Sequence, residues 1–228
     1  MWNGKNKAIT LSYDDGVMQD KRLVKIFDNY GLKATFNINS GMLYNECIWE
    51  NKGVKIIRMT ADEIVENLSG HEIAIHGLTH TNLKNDDYNQ TERQLIGDRA
   101  NLERIFNRKI YGMAYPGGFC SDNARLVCEK FDIKYARLAG ESKNFEIPSD
   151  LLNFNGTVKH SSPDFLTLTK KFLDMETDKP IMLYVWGHSY EFDIDNNWNV
   201  IEEFCKMISG NKDIFFGTNH EVLSPYYK

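Results

Sequence analysis

Short apolar runs and longer amphipathic stretches alternate along the chain. Residues 8–13 are alternating or β-branched and are followed closely by Gly16, which predicts a strand that ends in a sharp turn. Apolar residues then recur at i, i+3, i+4 and i+7 from Leu23 to Tyr30, directly before Gly31. This spacing predicts a helix that stops at the glycine, so a strand followed by a helix is the opening unit of the fold.

The same unit is repeated along the rest of the chain. A capping box formed by Thr60 and Glu63 opens a second helix. The remaining strand candidates lie at residues 34–38, 72–75, 112–115, 134–137, 153–158, 181–186 and 214–216. Such alternation predicts an α/β fold with a parallel sheet, but the pattern does not decide whether the sheet is open or closed.

Length and composition are consistent with one folded unit. The chain has 228 residues, of which 42% are hydrophobic, enough for a sizeable interior. Neither a linker-like tract nor an internal repeat of fixed period is present, so residues 1–228 are expected to form a single domain. A formal net charge of −5 argues against a nucleic-acid partner, which requires clustered excess lysine and arginine.

The cysteines and the N-terminus bear on the expected location of the protein. The four cysteines show no C-x-x-C spacing, and free thiols are therefore expected at Cys47, Cys120, Cys128 and Cys205. Residues 1–7 contain no apolar leader, and no apolar run approaches membrane-spanning length. We expect a soluble, cytoplasmic protein without a membrane partner, although a trimmed secreted form is also compatible with the sequence. The sequence does not determine the oligomeric state.

Two pairs of polar residues stand at the ends of predicted strands. Asp14 and Asp15 end the first strand, and His76 and His80 follow the strand at 72–75. Adjacent acids are commonly a solvated turn, and two histidines four residues apart often occur by chance. Because barrel enzymes place catalytic groups at the carboxyl ends of their strands, the coincidence favours a functional site.

These residue types suit a divalent metal. Residues at i and i+4 project from one face of a helical turn, so His76 and His80 are expected to reach one ion. Two imidazoles and one carboxylate leave a position open for water, which is the pattern of catalytic zinc sites. The same donors also accept Co²⁺, Fe²⁺ or Ni²⁺. The second acid of the pair is then free to act as a base.

These residues resemble a known family. The segment Ser12-Tyr13-Asp14-Asp15-Gly16 is similar to the T-F-D-D-G motif of the polysaccharide deacetylases, the NodB-homology domain of carbohydrate esterase family 4, and residues 76–80 resemble its H-[ST]-x-x-H motif. Residues 31–36 and 70–73 also match the segments that lie between these two motifs in the family. Residues 114–118 and Gly187-His188 fall where the third and last motifs belong.

The resemblance implies a fold and a set of roles. It implies a distorted (β/α)7 barrel with Asp14 as general base, Asp15, His76 and His80 as metal ligands, and His188 as general acid. It also implies that a main-chain N–H of the third motif, here that of Gly117, helps to stabilise a tetrahedral oxyanion. The expected substrate contacts are Tyr115, Pro116, Gly117 and Trp186.

The chain departs from the family pattern at two places. Ala114 stands where the third motif normally has an arginine that pairs with the base, and the fourth motif, D-x-x-D-W, is not recognisable. Without a cationic partner, burial would raise the pKa of Asp14 and make it a poor base. Arg137 ends the next predicted strand and is the candidate replacement, whereas the alternative is a surface arginine lying over the barrel rim.

Aromatic and histidine residues outside the motifs carry weaker signals. Trp186 stands two residues before His188, so both are expected to face the same side of a strand, where the indole either lines the acetyl pocket, stacks on a sugar, or simply fills the core. Trp49 and Trp198, in predicted loops, are further candidates for sugar contact. Isolated histidines such as His71 and His160 are expected to lie outside the site.

The resemblance implies a metal-dependent hydrolase that removes acetyl groups from an N-acetylated sugar or short glycan. An O-acetyl esterase, or an amidase acting on a small compound, is the enzymatic alternative. A third alternative is an inactive carbohydrate-binding domain. The complete set of metal and acid/base residues opposes that interpretation, whereas Ala114 keeps it open.

Overall fold

The computed structural model describes residues 1–43 and 48–227. Its strands are β1 (Lys7–Asp14), β2 (Thr35–Ile38), β3 (Ile48–Asn51), β4 (Val54–Ile57), β5 (Glu72–Ile75), β6 (Gly112–Ala114), β7 (Tyr135–Glu141), β8 (Phe154–Gly156), β9 (Val158–Lys159), β10 (Ile181–Gly187) and β11 (Ile214–Phe216). Its helices are α1 (Asp20–Asn29), α2 (Ala61–Leu68), α3 (Tyr88–Phe106), α4 (Asp122–Lys130), α5 (Phe165–Asp174), α6 (Tyr190–Ile194), α7 (Trp198–Ile208) and α8 (Asn219–Leu223).

Nine of the strands form one parallel sheet, in the order β8-β7-β6-β5-β2-β1-β10-β9, with β11 also paired to β1. The two end strands of this order, β8 and β9, are parts of one extended segment, residues 154–159, which we call the closing segment. The N–H of Thr157 donates to the carbonyl of Tyr184 (2.8 Å), and its own carbonyl accepts from the N–H of Lys143 (3.0 Å). The closing segment thus joins β7 to β10, and the predicted barrel of seven strand positions is confirmed.

β11 accounts for the distortion of the barrel. β1 pairs with β11 through Lys7–Ile9 and with β2 through Ser12–Asp14. The lower part of the gap between β1 and β2 is therefore filled by β11, and the two strands meet directly only near the upper end of β1. That end carries the two aspartates.

Side chains of the barrel strands alternate between two environments. Ile9, Leu11 and Tyr13 of β1 belong to the larger apolar core, which lies between the sheet and the helices. Ala8 belongs to a second cluster together with Tyr184 and other residues of the barrel interior. Because successive residues of a strand point to opposite faces, Thr10, Ser12 and Asp14 follow Ala8 into the interior. The alternation of side chains along β1 therefore directs Asp14 into the barrel interior.

Most predicted elements are present, with small changes at their ends. The helix before Gly31 is α1, and the capping box of Thr60 and Glu63 opens α2. The strand predicted at 134–137 continues to Glu141, because the closing segment supplies a partner for its second half. The antiparallel hairpin β3–β4 was not predicted, and it contains Trp49, which was assigned to a loop.

Three of the four cysteines lie in the described part of the chain. Cys120, Cys128 and Cys205 are free thiols in the part of the chain that the structure describes, and Cys47 lies outside it. Burial raises the pKa of the Cys128 and Cys205 thiols to about 12, so both are inert neutral groups of the core. Among the described helices, none is both long and apolar enough to cross a membrane.

Candidate functional site

The residues singled out from the sequence meet at one end of the barrel. Asp14 ends β1, His76 follows β5, Pro116 follows β6 and His188 follows β10. All four strands are parallel members of one sheet, so their carboxyl ends open onto the same mouth. Strand topology therefore brings together residues that are more than 170 positions apart in the sequence.

Asp15, His76 and His80 form a cluster that fits a metal ion. One ligand atom from each lies within 4.8 Å of the others. The Nε2 atoms of His76 and His80 are 4.0 and 3.7 Å from Oδ1 of Asp15. Asp15 and His76 are buried, whereas His80 is partly exposed, so the cluster opens toward solvent on one side. Two imidazoles, one carboxylate and an open side suit a divalent metal ion with a free position for water.

His76 is held in the tautomer that a metal requires. Its Nδ1 lies 2.9 Å from the carbonyl oxygen of Ala114. Because a carbonyl only accepts, Nδ1 carries the hydrogen and Nε2 keeps its lone pair for an ion. Burial, opposed by the charges of Asp14 and Asp15, lowers the pKa of His76 to about 4, so the ring is neutral at physiological pH.

The backbone between the two histidines is a turn and not the predicted helical turn. Gly77 and His80 both have left-handed backbones, with φ of 75° and 54°. Asn39 donates to the carbonyls of His76 and Gly77, and Asp98 accepts from the N–H of His76 (3.0 Å). These side chains replace helical hydrogen bonds, and the spacing of four residues still brings the imidazole centroids to 4.8 Å.

Gly77 is required by close packing as well as by its backbone angle. A Cβ at this position would lie 2.8 Å from Cγ of Pro116. Pro116 thus packs against the loop that carries the histidines. This is a structural contact, although the sequence indicated a substrate contact for Pro116.

Asp14 is buried and fully engaged by hydrogen bonds. Nη2 of Arg137 donates to both carboxylate oxygens at 2.6 Å, and Nδ2 of Asn37 donates to Oδ1 at 2.8 Å. Burial alone would raise the pKa of Asp14, but the charges of Arg137, His76 and His188 outweigh it and lower the pKa to about 2. The carboxylate is therefore ionised at neutral pH.

Arg137 reaches Asp14 from the strand next to that of Ala114. The ladder between β6 and β7 pairs Ala114 with Arg137, so the two side chains leave the sheet at neighbouring points on the same face. Arg137 is only 1% exposed, which rules out the alternative of a surface arginine on the barrel rim. Its guanidinium lies over the Trp186 ring, with Cζ 4.5 Å from the centroid.

This contact with Arg137 gives Trp186 a structural role. The indole is 4% exposed and supports Arg137 from the barrel interior. The structure therefore favours a wall-filling role and leaves no accessible ring face for stacking on a sugar. Trp198 is likewise buried, at the start of α7, where it packs on Phe192.

His188 lies between three carboxylates. Its Nε2 is 3.9 Å from Oδ2 of Asp14 and 4.0 Å from Oδ2 of Asp15, and its Nδ1 is 3.4 Å from Oε1 of Glu191. Burial would lower the pKa of His188, but Glu191 and the two aspartates outweigh it and raise the pKa above its usual value. These three carboxylates therefore favour the protonated form of His188.

Glu191 is a site residue that the sequence did not reveal. It stands in the short helix α6, three residues after His188, and forms an ion pair with Lys159. Its Oε2 is 3.3 Å from Nε2 of His160. Burial would raise the pKa of Glu191, but His188, His160 and Lys159 lower it to about 2, so the carboxylate is charged.

His160 is therefore closer to the site than its sequence context indicated. It was expected to lie outside the site, but it follows the closing segment and is buried, stacked between Tyr13 and Phe192. Burial lowers its pKa to about 3, so it is neutral. His71 behaves as expected, since its Nδ1 accepts from the N–H of Ala34 far from the mouth.

Two residues of the third motif, Tyr115 and Gly117, lie in different surroundings. The hydroxyl of Tyr115 donates to the carbonyl of Leu152 (2.9 Å) and also contacts Cys128, so this side chain points into the core behind the sheet. Tyr115, directly after β6, thus directs its side chain away from the mouth, and this side chain does not make the expected substrate contact. Gly117, with φ of 65°, lies in a short 3₁₀ turn at the mouth beside Asn82.

A second arginine, Arg58, contacts Asp15. Its Nη1 and Nη2 are each 3.1 Å from Oδ1, and Nη1 also donates to the main-chain carbonyl of Asp15. Arg58 directly follows β4, in the hairpin that was not predicted. Each aspartate of the pair therefore has its own buried arginine.

Comparison with known proteins supports the motif assignment. A family model described as polysaccharide deacetylase matches residues 3–136, more than half of the chain. The matched region contains the two aspartates and His76 and His80, and it ends directly before Arg137. No curated protein matches the chain.

Solved structures show the same fold at low sequence identity. The Streptococcus pyogenes deacetylase PplD, in complex with acetate, matches with a TM-score of 0.52 and 18% identity over 58% of this chain and 56% of that one. The chain therefore spans little more than half the length of that deacetylase.

Two further structures match over most of the chain. A CE4 family pseudoenzyme from Bacillus anthracis has a TM-score of 0.57 and 16% identity, covering 96% of this chain and 66% of that chain. A family 4 acetyl xylan esterase from Clostridium thermocellum, in complex with a cobalt ion, has a TM-score of 0.62 and 15% identity, covering 96% and 91%. At these identities the likeness establishes the fold.

Proposed function

The chain belongs to the polysaccharide deacetylase family, and on that basis we propose that it is a metal-dependent deacetylase acting on an N-acetylated sugar or short glycan. The observation that carries the proposal is the pairing of Asp14 and His188 beside the metal cluster. Their environments push the two pKa values in opposite directions, down for Asp14 and up for His188. A carboxylate whose surroundings favour the ionised form and an imidazole whose surroundings favour the protonated form are suited to be the two partners of acid–base catalysis.

The metal would be held by Asp15, His76 and His80. A divalent ion bound there would polarise the acetyl carbonyl and lower the pKa of a water molecule. Zinc suits this donor set best in our proposal, and cobalt, iron and nickel accept the same ligands. The cobalt bound by the related Clostridium thermocellum esterase supports a divalent ion of this kind.

Asp14 then serves as the base. Its carboxylate accepts the proton of the attacking water, and Arg137 keeps it ionised before the attack. Such a low pKa makes Asp14 a weak base towards free water. It is therefore suited to a water whose own pKa has been lowered.

His188 serves as the acid. It donates its proton to the departing nitrogen of the acetamido group, so that the amine leaves as a neutral molecule. Glu191 supports this role because its charge favours the protonated imidazole. The N–H of Gly117 is the proposed donor to the oxyanion, at the tight turn that follows β6.

The proposed substrate class follows from the family, whose members act on acetylated carbohydrates. In this proposal the groups at the mouth remove an acetyl group from nitrogen, and the same groups would also cleave an acetyl ester or a small amide. An ester needs less help from the acid, because an alkoxide is a better leaving group than an amide nitrogen. The position of His188 beside Asp14, where it can act as an acid, therefore favours an N-acetyl substrate.

An acetate-release screen tests the proposal. The metal-loaded protein is incubated with N-acetylated sugars and oligosaccharides, O-acetylated glycans and small acetamides, with Asp14→Asn as the matched inactive control. Release from N-acetylated glycans supports the proposal. If acetate is released only from the O-acetylated glycans, the protein is instead an O-acetyl esterase. If it is released only from the small acetamides, the protein is instead a small-molecule amidase. Glycan binding by a metal-loaded protein that releases no acetate indicates an inactive binding domain.

A further inference from the structure

Asp15 has a backbone conformation that is unusual for its residue type. Its φ is 86°, in the left-handed region that favours glycine. Residues held in sparsely populated backbone regions persist only where their surroundings fix them. The N–H of Asp15 donates to the carbonyl of Asn37 (3.0 Å), which fixes one side of the residue. The other side, its carbonyl and its carboxylate, is fixed by Arg58.

Arg58 grips Asp15 at two points with one planar group. Nη1 donates to the main-chain carbonyl and to Oδ1, and Nη2 donates to the same Oδ1. A guanidinium presents its donors in a fixed fork, so contacts to the carbonyl and the carboxylate together define the side-chain rotamer relative to the backbone. Both side chains are buried, at 4% and 6% exposure, and water cannot replace these bonds.

Arg58 is itself held by the hairpin β3–β4. The residue forms an antiparallel bridge with Val17, and the N–H of Met59 donates to the carbonyl of Gly16 (2.9 Å). The Arg58 guanidinium lies over the ring of Trp49, with Cζ 5.1 Å from the centroid. The end of the hairpin is thus docked on the loop that carries Asp15.

We propose that Arg58 is a positioning residue for the metal, which fixes the Asp15 carboxylate in its ligand orientation. The inference rests on the proposed metal site and adds a residue that no motif of the sequence indicates. It also assigns a purpose to the hairpin, which supports the metal ligand from outside the barrel.

Two effects of Arg58 on metal affinity oppose each other. Its charge repels a cation, and Oδ1, the oxygen that it contacts, is also the one nearest the imidazoles of His76 and His80. Its hydrogen bonds, in contrast, hold a left-handed residue in place and prevent the carboxylate from turning away. The double contact on one residue leads us to infer that positioning is the stronger effect.

Metal affinity measured without turnover tests this inference. The dissociation constant for Zn²⁺ is measured on the full chain by competition with a chromogenic chelator, for the wild type, Arg58→Met and Arg58→Lys. Methionine keeps an apolar stem against Trp49 but removes the donors, whereas lysine keeps the charge without the fork. Both variants are expected to bind zinc about 10- to 100-fold more weakly, the usual effect of losing a group that orients a metal ligand.

A matched control and a spectroscopic measurement complete the experiment. Arg22 lies over the ring of Trp198, 4.3 Å from its centroid, on the exposed face of α1, so Arg22→Met removes a similar cation–aromatic contact away from the site. Its affinity should equal that of the wild type. The visible absorption of bound Co²⁺ should change in the Arg58 variants, because the geometry of the carboxylate ligand changes.

Each possible result supports or overturns the inference on Arg58, the proposed function, or both. Unchanged or tighter zinc binding by Arg58→Met overturns the inference, and so does wild-type affinity in Arg58→Lys, since the forked donors of the guanidinium would then not be required. If Arg58→Met does not fold, the lysine variant and its cobalt spectrum decide in its place. Failure of the wild type to bind metal overturns both proposals. Metal binding that depends on Arg58 in a protein without acetate release overturns only the proposed function.

Discussion

The Nη2 atom of Arg137 lies 2.6 Å from each carboxylate oxygen of Asp14. The family pattern places an arginine at the position of Ala114, and Arg137 is its partner in the ladder between β6 and β7. The arginine thus stands on β7 and not on β6, and its guanidinium still lies in the barrel interior, one strand away from the family position.

We expect Arg137→Ala to lower turnover and to shift the acidic limb of the pH profile upward. The folded protein holds the pKa of Asp14 at about 2, and burial would raise it once the guanidinium is gone. A base must be ionised, so activity would be lost at a higher pH as the medium is acidified. The measurement is kcat/KM against pH, with bound metal determined in parallel and expected to be unchanged.

The same contact permits a rescue experiment. Ala114→Arg combined with Arg137→Ala returns the arginine to the family position and should restore part of the turnover and the acidic limb. Arg104→Ala, on the exposed face of α3, is the control and should alter neither. An acidic limb that does not move in Arg137→Ala would show that other groups hold Asp14 ionised.

Asp14→Asn separates metal binding from chemistry. The amide cannot accept the proton of water, so turnover should fall by about 100-fold or more, the usual scale of general base catalysis. The protein should still bind metal, because Asp14 is not in the ligand cluster. The variant should also be less stable by about 1–3 kcal/mol, since the amide places a donor against the Arg137 and Asn37 donors in a buried site. Turnover, metal content and thermal unfolding check the three expectations, and full activity would exclude Asp14 as the base.

His76→Ala should lose most of the bound metal together with activity. Its Nε2 is one of three ligand atoms, and a two-ligand remnant binds divalent ions weakly. His71→Ala is the control, because that side chain accepts a hydrogen bond from Ala34 at the opposite end of β5. Elemental analysis of the purified proteins gives the metal content per chain. Full occupancy in His76→Ala would place the metal elsewhere.

Glu191→Gln should move the alkaline limb of the pH profile to lower pH. The charge of Glu191 helps to raise the pKa of His188, and an acid loses its proton as the pH rises through that pKa. Removal of the charge lowers the pKa, and activity is then lost earlier on the alkaline side. The two aspartates remain, so the shift is partial.

Two comparisons make the Glu191 experiment specific. An activated ester, whose leaving group needs no proton, should show little change in Glu191→Gln. Asp195→Asn, just beyond the end of α6 and exposed, should leave the profile of the amide substrate unchanged. Equal effects on ester and amide would mean that Glu191 does not act through the acid.

The sequence predicted the strands well because their signal is local. Apolar runs mark β1, β5, β10 and β11 to within one or two residues, and turn residues mark their ends. The hairpin β3–β4 was missed because it packs at the rim, where polar and apolar residues are mixed. Strand order and closure needed the hydrogen bonds of Thr157, which no local pattern contains.

The site was predictable where spacing carries the chemistry and not where contacts are long-range. His76 and His80 were found from their separation, although the backbone between them is a left-handed turn and not a helix. Arg58 and Glu191 belong to no spacing pattern, and only the fold brings them to Asp15 and His188. Tyr115 was misplaced because motif membership does not show which face of a strand a side chain takes.

The closing segment forms a seam in the barrel wall. Its ladders to β7 and β10 are short, with Arg137 and Glu141 paired on one side and Val185 and Trp186 on the other. The ion pair between Arg137 and Asp14 crosses the lumen from β7 to β1 and braces the wall beside this seam. The ion pair therefore links two strands that are not neighbours in the sheet, a connection that the main-chain hydrogen bonds do not make.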